Sequence, residues 1–321
     1  MRTARCDPMT SNLTPSHHDP VQAHATHRLC ALLTCFNRRE KTLECLQALE
    51  ASTGLQGVEL RAVLVDDGSS DGTARAVAER FAWVTVIRPD HSEGALFWCR
   101  GMHRAFEAAL RIGFDDYLWL NDDTMLSPDA LARLLASRDR LRADAAAPVL
   151  LVGSTVDAVT GQVTYGGELR PSAWRPMLVV RILPGQAPQP CDSMTGNIVL
   201  ISAEAAQRVG NVDPLFEHSM GDTDYALRAR ALGVHVWVDA GVHGTCSDNP
   251  PRGTWVDPTQ PLGRRWRDIH TRKGLPWRSW LALTRRHAGV LWPIHFALPY
   301  AKVLVQGLLW QPLHARMRGR P

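Results

Sequence analysis

The chain contains no Cys-x-x-Cys pair. Its seven cysteines, Cys6, Cys30, Cys35, Cys45, Cys99, Cys191 and Cys246, are odd in number and scattered. That excludes a zinc ribbon and argues against a disulfide framework, so reduced thiols in a cytoplasmic protein are expected. No Gly-x-Gly-x-x-Gly string occurs, which disfavours a dinucleotide fold, and no Gly-x-x-x-x-Gly-Lys-Ser/Thr, which excludes a P-loop. No apolar run opens the chain, so no secretory signal is expected. Residues 1–27 are rich in Thr, Ser, Pro and His, have little to bury, and are expected to be disordered. No internal repeat is found. The net charge of +4 is too small to imply a nucleic-acid partner.

What is present is 45% apolar residues in 321, enough for one large core and an appendage. Apolar runs at 29–34, 60–65, 83–87 and 117–120 read as buried strands. Between and after them, stretches at 39–52, 73–81, 95–112 and 128–141 carry helical spacing. Continuous apolar strands separated by helices predict an α/β fold with a mostly parallel sheet covered on both faces. After Pro148 the pattern becomes mixed: strand-like pieces at 149–152, 162–165, 177–183, 197–201 and 235–238, a short helix after Ser202, and a helix over 222–232. The expected division is a domain over 28–250, with halves 28–125 and 126–250, and a helical extension over 251–321.

Ligands of open parallel sheets bind beyond the carboxyl ends of the strands, so the residues after each strand carry the chemistry. The first strand exits through Thr34-Cys35-Phe36-Asn37-Arg38, groups able to hold a base and phosphates. The second exits through Asp66-Asp67-Gly68-Ser69-Ser70-Asp71-Gly72. Two carboxylates crowded at one strand end need donors, and a base N–H or ribose hydroxyl would serve; Asp71 can cap the following helix. The fourth exits through Asn121-Asp122-Asp123-Thr124, where hard oxygen ligands could take a divalent cation beside a diphosphate. Each turn alone is as well explained by helix capping.

Together, TCFNR, VDDGSSDGT and NDDT in this order resemble glycosyltransferase family 2 over residues 28–247. The resemblance implies a GT-A fold, a sugar donor carried on UDP, dTDP or GDP, and Mn²⁺ or Mg²⁺. It implies that Thr34, Phe36, Asn37 and Arg38 bind nucleotide and that Asp66 and Asp67 hold base and ribose. Gly94 and Trp98 fall where members contact the donor. Asn121 and Asp123 occupy the outer positions of a DxD-like motif. The Asn leaves Asp123 as the direct metal ligand, with Asp122 assisting through sugar hydroxyls, and His243 would complete the metal site. Thr195-Gly196-Asn197 resembles the acceptor-side loop. In Gly221-Asp222, where members carry Glu-Asp, Asp222 aligns with the general base of inverting enzymes, and the helix dipole should keep it ionised. The implied acceptor is a glycan or a lipid-linked sugar in surface-polysaccharide or glycolipid assembly. A sugar-nucleotide nucleotidyltransferase, or a degenerate domain that only binds nucleotide, are the competing readings. The first would need a Gly-rich phosphate loop that TCFNRRE is not.

Between Gly263 and His287 the chain has eight Arg or Lys and one acidic residue, and residues 289–310 are strongly apolar but interrupted by Pro293, His295, Pro299 and Lys302. This segment reads as a helix lying on the cytoplasmic face of the inner membrane, as one packed on the domain or a second copy, or, least in keeping with its interruptions, as a membrane span.

Overall fold

The structure, a computed structural model, describes residues 26–90, 95–145, 147–248 and 252–318. Gly94 and the segment up to Ala25 lie outside the described residues. The first half runs β1 (His27–Cys35), α1 (Arg39–Glu50), β2 (Val58–Asp66), α2 (Thr73–Arg80), β3 (Val84–Ile87), α3 (Phe97–Ile112) and β4 (Asp116–Leu120). The second half runs β5 (Met125–Leu126), α4 (Ala130–Ala145), β6 (Val149–Val156), β7 (Val163–Tyr165), β8 (Gly167–Leu169), β9 (Val180–Arg181), β10 (Gln189–Pro190), β11 (Ser193–Met194), β12 (Ile198–Ser202), α5 (Ala203–Val209), α6 (Gly221–Ala231) and β13 (His235–Thr245). The extension holds α7 (Leu262–Ile269), α8 (Trp277–His287) and α9 (Trp292–Arg318).

The main sheet has the order β10-β13-β6-β12-β4-β1-β2-β3. Strands β3, β2, β1 and β4 are parallel neighbours, and β13 is parallel to β6. Only β12 among the central strands is reversed, antiparallel to both β4 and β6. The core explains why β1 shows no polar alternation. Leu29, Ala31 and Leu33 join a cluster with Leu46 and Leu49 of α1 and Leu131 and Leu134 of α4. Cys30 and Leu32 join a second cluster with Met102 and Phe106 of α3 and Tyr225 of α6. Side chains alternate across a strand, so helices on both faces demand apolar residues at every position.

Strand β13 runs seven residues further than its apolar run predicts, with register shifts after Val238 and Val242. The six described cysteines are free and buried. A small second sheet, β11-β8-β9, lies beside α6.

Helix α9 packs on α7 and α8. It begins at Trp292, so Pro293 falls in the first turn, where its missing N–H costs nothing; the helix then continues through Pro299, which the sequence reading took as an interruption. Val303 is buried, and Gly307 sits so close to Leu262 that a Cβ there would meet its side chain at 2.5 Å. Ile294, Leu298, Val305 and Leu308 remain exposed. No described helix is long and apolar enough to cross a membrane.

Asp224 on α6 ties the extension to the sheet domain. Its buried carboxylate accepts from Arg228 Nε at 2.8 Å and Arg286 Nη1 at 3.1 Å, and pairs with His287 Nε2 at 2.9 Å. Burial acts to raise this carboxyl, but the three bonds to His287, Arg228 and Arg286 outweigh it and hold the pKa at about 2. The folded value lies below the ordinary 3.8, so the contribution is fully present above about pH 4 and is lost as pH falls through 2. Asp224→Asn is expected to cost about 3 kcal/mol, the loss typical when one member of a buried ionic network is removed. In urea melts, the gap between the wild type and this variant should shrink between pH 5 and pH 2.

Candidate active site

The parallel register sets the site. Cys35 pairs with Asp66 and Leu32 with Trp119, so the exits of β2, β1 and β4 lie side by side at one sheet edge. Because β12 is reversed, its start reaches the same edge: Asn121 N–H donates to Asn197 O at 3.1 Å.

At the β1 exit, Phe36 is 55% exposed and Asn37 takes a left-handed φ of 51°. Asn37 is locked to the β2 exit, its N–H on Ser69 Oγ at 2.9 Å and its Oδ1 accepting from Ser70 N at 2.8 Å. Asp71 accepts from the N–H groups of Thr73 and Arg39, both at 3.0 Å, and so joins the starts of α2 and α1, although the N-cap of α2 is Gly72 rather than Asp71. Thr34 sits under α3, where Gly101 leaves room for it: a Cβ at Gly101 would meet Thr34 Oγ1 at 2.2 Å. It packs helix on sheet rather than facing the sheet edge.

The two β2 carboxylates divide their work. Asp66 is fully buried; its Oδ1 accepts from Ser69 N at 2.9 Å, while its Oδ2 makes no hydrogen bond among the described residues and lies 3.4 Å from Arg88 Nε. An acceptor left open in this way fits a base N–H or a ribose hydroxyl. Asp67, expected to do the same, has both oxygens taken by backbone: Leu96 N at 2.8 Å and Phe97 N at 2.9 Å. It holds the start of α3, where Phe97 is forced to φ 58°.

At the β4 exit, Arg38 Nη1 donates to Asp122 Oδ1 at 3.1 Å and Asp123 Oδ2 at 2.7 Å. Burial lifts the Asp122 carboxyl to about 6 against the pull of Arg38. Asp123 is the more exposed of the two and offers hard oxygen to a cation. Asn121 Oδ1 accepts from Trp98 Nε1 at 2.7 Å. His243 is not brought into this group. It lies on β13, fully buried, with Nε2 against Asp239 Oδ2 at 2.9 Å. The lengthened β13 turns what read as a loop residue into a core one. Among the described residues no cluster of three or more His, Cys, Asp or Glu side chains is placed to hold a metal. Mg²⁺ and Mn²⁺ commonly take one or two carboxylates plus substrate phosphates, and Asp123 with Asp122 meets that requirement once Arg38 yields.

Trp98 carries the contact chain onward. Its ring lies against Gly196, where a Cβ would meet Cη2 and Cζ2 at 2.5 Å. Gly196 N–H donates to Asp222 Oδ2 at 3.0 Å, and Thr223 N–H to Oδ1 at 2.9 Å. Thr195 closes on Gly166, donating and accepting across β8 and β11. The shift on Asp222 is upward: burial outweighs the N–H bonds from Thr223 and Gly196, and with them the helix-end effect expected to hold it down. One carboxyl was missed. Glu168 on β8 is lifted to about 7, by burial first and then by the charge of Asp222. A strand of three residues gives no periodic signal that could have found it.

Gly221 stands where the resemblance implies Glu, and the packing there leaves no room for a side chain. A Cβ there would lie 2.7 Å from Cys99 Sγ and 3.3 Å from Val212 Cγ1. Met220 before it takes φ 75°. Gly221→Glu should therefore overpack the α3–α6 contact, cost about 1–3 kcal/mol and lower the melting temperature. A melt at or above the wild-type temperature would show that the contact is looser than described.

The profile described as Glycosyl transferase family 2 matches residues 30–194. Among solved structures, residues 1–349 of S. aureus TarS share 12% identity at a TM-score of 0.50, covering 80% of this chain and 69% of that one. A second structure of those residues, in complex with UDP, also shares 12% identity at a TM-score of 0.50, covering 80% of this chain and 70% of that one. The mannosyltransferase PcManGT from Pyrobaculum calidifontis, in complex with GDP-Man and Mn²⁺, shares 17% identity at 0.51, covering 92% and 76%. No curated protein sequence matches the chain. These structures share the GT-A fold seen here. With the matched profile spanning half of its length, the chain belongs to glycosyltransferase family 2.

Proposed function

We propose that this chain transfers a sugar from a nucleotide-diphosphate sugar to an acceptor hydroxyl with inversion at the anomeric carbon. The observation that carries this reading is the unbroken run of contacts from Asp222 through Gly196, Trp98 and Asn121 to the carboxylates held by Arg38. It joins a candidate base to a candidate diphosphate site. Phe36 offers an exposed ring for the base, and the open Oδ2 of Asp66 accepts from base or ribose. Arg38 faces the diphosphate, and Asp122 assists through the sugar hydroxyls. A divalent cation held by Asp123 would offset charge on the leaving diphosphate. Asn197 and Thr195 position the acceptor.

Asp222 takes the proton from the acceptor hydroxyl as that oxygen attacks C1. The C1–O bond to the diphosphate breaks, and its electron pair leaves with the nucleoside diphosphate. Two N–H donors orient the Asp222 carboxylate, so its free lone pairs face the acceptor. The acceptor fits surface-polysaccharide or glycolipid assembly at the inner membrane, where the basic extension would favour an anionic surface.

Asp222→Asn should lose about 10²–10⁴-fold in turnover while retaining donor binding, and product analysed by proton NMR should carry the anomer opposite to the donor. A retained anomer overturns the single displacement. Full activity of the variant, with Glu168→Gln inactive, moves the base to Glu168. The raised Asp222 pKa also places the acid limb of kcat/KM above the pH at which an ordinary aspartate titrates.

Melting curves with UDP-, dTDP- and GDP-sugars, each with and without Mn²⁺, identify the donor class. Arg38 competes with a cation for Asp122 Oδ1 and Asp123 Oδ2, so Mn²⁺ alone should shift the melting temperature less than Mn²⁺ with nucleotide. A full shift from Mn²⁺ alone would remove Arg38 as a competitor.

A further inference from the structure

Away from the sheet edge lies a cavity of about 900 Å³, at the upper end of the ~300–1,000 Å³ typical of small-molecule sites. Its walls come from residues 174–178, from Trp255 and Val256, and from α7, α8 and α9. Trp174, Met177, Trp280 and Leu298 give it an apolar and aromatic lining. Its charged lining groups are all basic: Arg175, Arg265 and Lys302, with His295 beside them.

Arg265 is the telling group. It is 98% buried, since only 2% of its surface is exposed. Its guanidinium donates to two neutral acceptors, Trp255 O and Gln306 Oε1, both at 2.8 Å, and it makes no ion pair among the described residues. Asp257 is the carboxylate that acts on it, but the Asp257 oxygens already accept from Gly253 N, Thr259 N and Thr259 Oγ1. A buried cation without a contacting anion is costly, and such groups are retained where an anion arrives. The cavity also meets the exposed apolar face of α9, because Leu298 lines it and is 52% exposed.

We propose that this cavity binds a single-chain lipid phosphate. The phosphate sits against Arg265 with Lys302 and Arg175, and the hydrocarbon chain lies along Trp174, Met177, Trp280 and Leu298. A bare anion would leave the aromatic wall without a partner, and a neutral hydrocarbon would leave Arg265 without one. The site is built from the extension and the 174–178 segment and does not depend on which residue is the base at the sheet edge.

The probe is 12-bromododecyl phosphate below its micelle concentration, read by quenching of tryptophan fluorescence, since Trp174, Trp255 and Trp280 line the cavity. Saturable quenching at one probe per chain is expected. The alcohol analogue and the Arg265→Gln variant should bind at least tenfold more weakly. Trp174 is 81% exposed, so Trp174→Ala should reduce the quenching amplitude without lowering the melting temperature. If Arg265→Gln fails to fold, Lys302→Gln at the exposed rim takes its place, with weaker binding again expected. Non-saturable quenching, equal binding of the alcohol, unchanged binding in a folded Arg265 or Lys302 variant, or full displacement of the probe by an equal concentration of inorganic phosphate would each overturn the proposal. A melting shift with nucleotide-sugar, measured on the same samples, reports the donor site separately.

Discussion

Parallel pairing of β2, β1 and β4 is the constraint on which the rest depends. Parallel neighbours end at the same edge, so three loops far apart in sequence meet there without any long connection. The reversed β12 completes the arrangement by the same logic. A strand running the other way begins where its neighbours end, so Thr195-Gly196-Asn197 must precede its strand while the donor-side loops follow theirs. One inversion of direction thus puts two halves of a site, built from different parts of the chain, at a single edge.

That edge stores backbone strain. The three non-glycine residues with positive φ among the described residues are Asn37, Phe97 and Met220, and all belong to it. Each such conformation costs on the order of 1–3 kcal/mol and persists only where neighbours over-determine it. Ser69 and Ser70 fix Asn37, and the Asp67 carboxylate fixes Phe97. Met220 precedes Gly221, which is wedged against Cys99, while Cys99 N–H donates to Glu217 O at 3.0 Å. The start of α3 is therefore braced against the β2 exit on one side and the start of α6 on the other. Removing the side chain at 221 is what lets these two helix ends approach.

The strong elements were legible because their signals are local. Apolar runs marked β1, β2 and β4, and DDGSSDG marked a turn in which Gly72 is the N-cap of the next helix and Asp71, one residue before it, accepts from the N–H of Thr73. What failed was set by tertiary contacts. His243 read as a loop residue because register shifts after Val238 break the apolar pattern of β13 midway. Asp67 read as a ligand group because nothing in DDG shows that Leu96 and Phe97, some thirty residues on, will present their N–H groups to it. Thr34 read as part of the nucleotide-binding loop because the helix crossing at Gly101 lies outside any local window. Strands of two or three residues, such as β8, β10 and β11, are too short for a period to show, and Glu168 was lost with them.

The charge arrangement at the β4 exit ties the site's chemistry to its stability. One guanidinium faces two carboxylates, and the deeper of them, Asp122, is lifted to about 6 even so. With both carboxylates ionised, the one guanidinium leaves a net negative charge that would favour a cation. Arg38 holds one oxygen of each carboxylate, so a bare ion that takes both Asp122 Oδ1 and Asp123 Oδ2 would displace a charge-assisted bond of 2.7 Å. A diphosphate changes the balance, because it offers Arg38 acceptors of the same geometry and brings the cation its remaining ligands. On the proposed reaction, donor and cation are thus partners in one binding event. The protein's own ion pair then holds Asp122 and Asp123 in place until that event occurs.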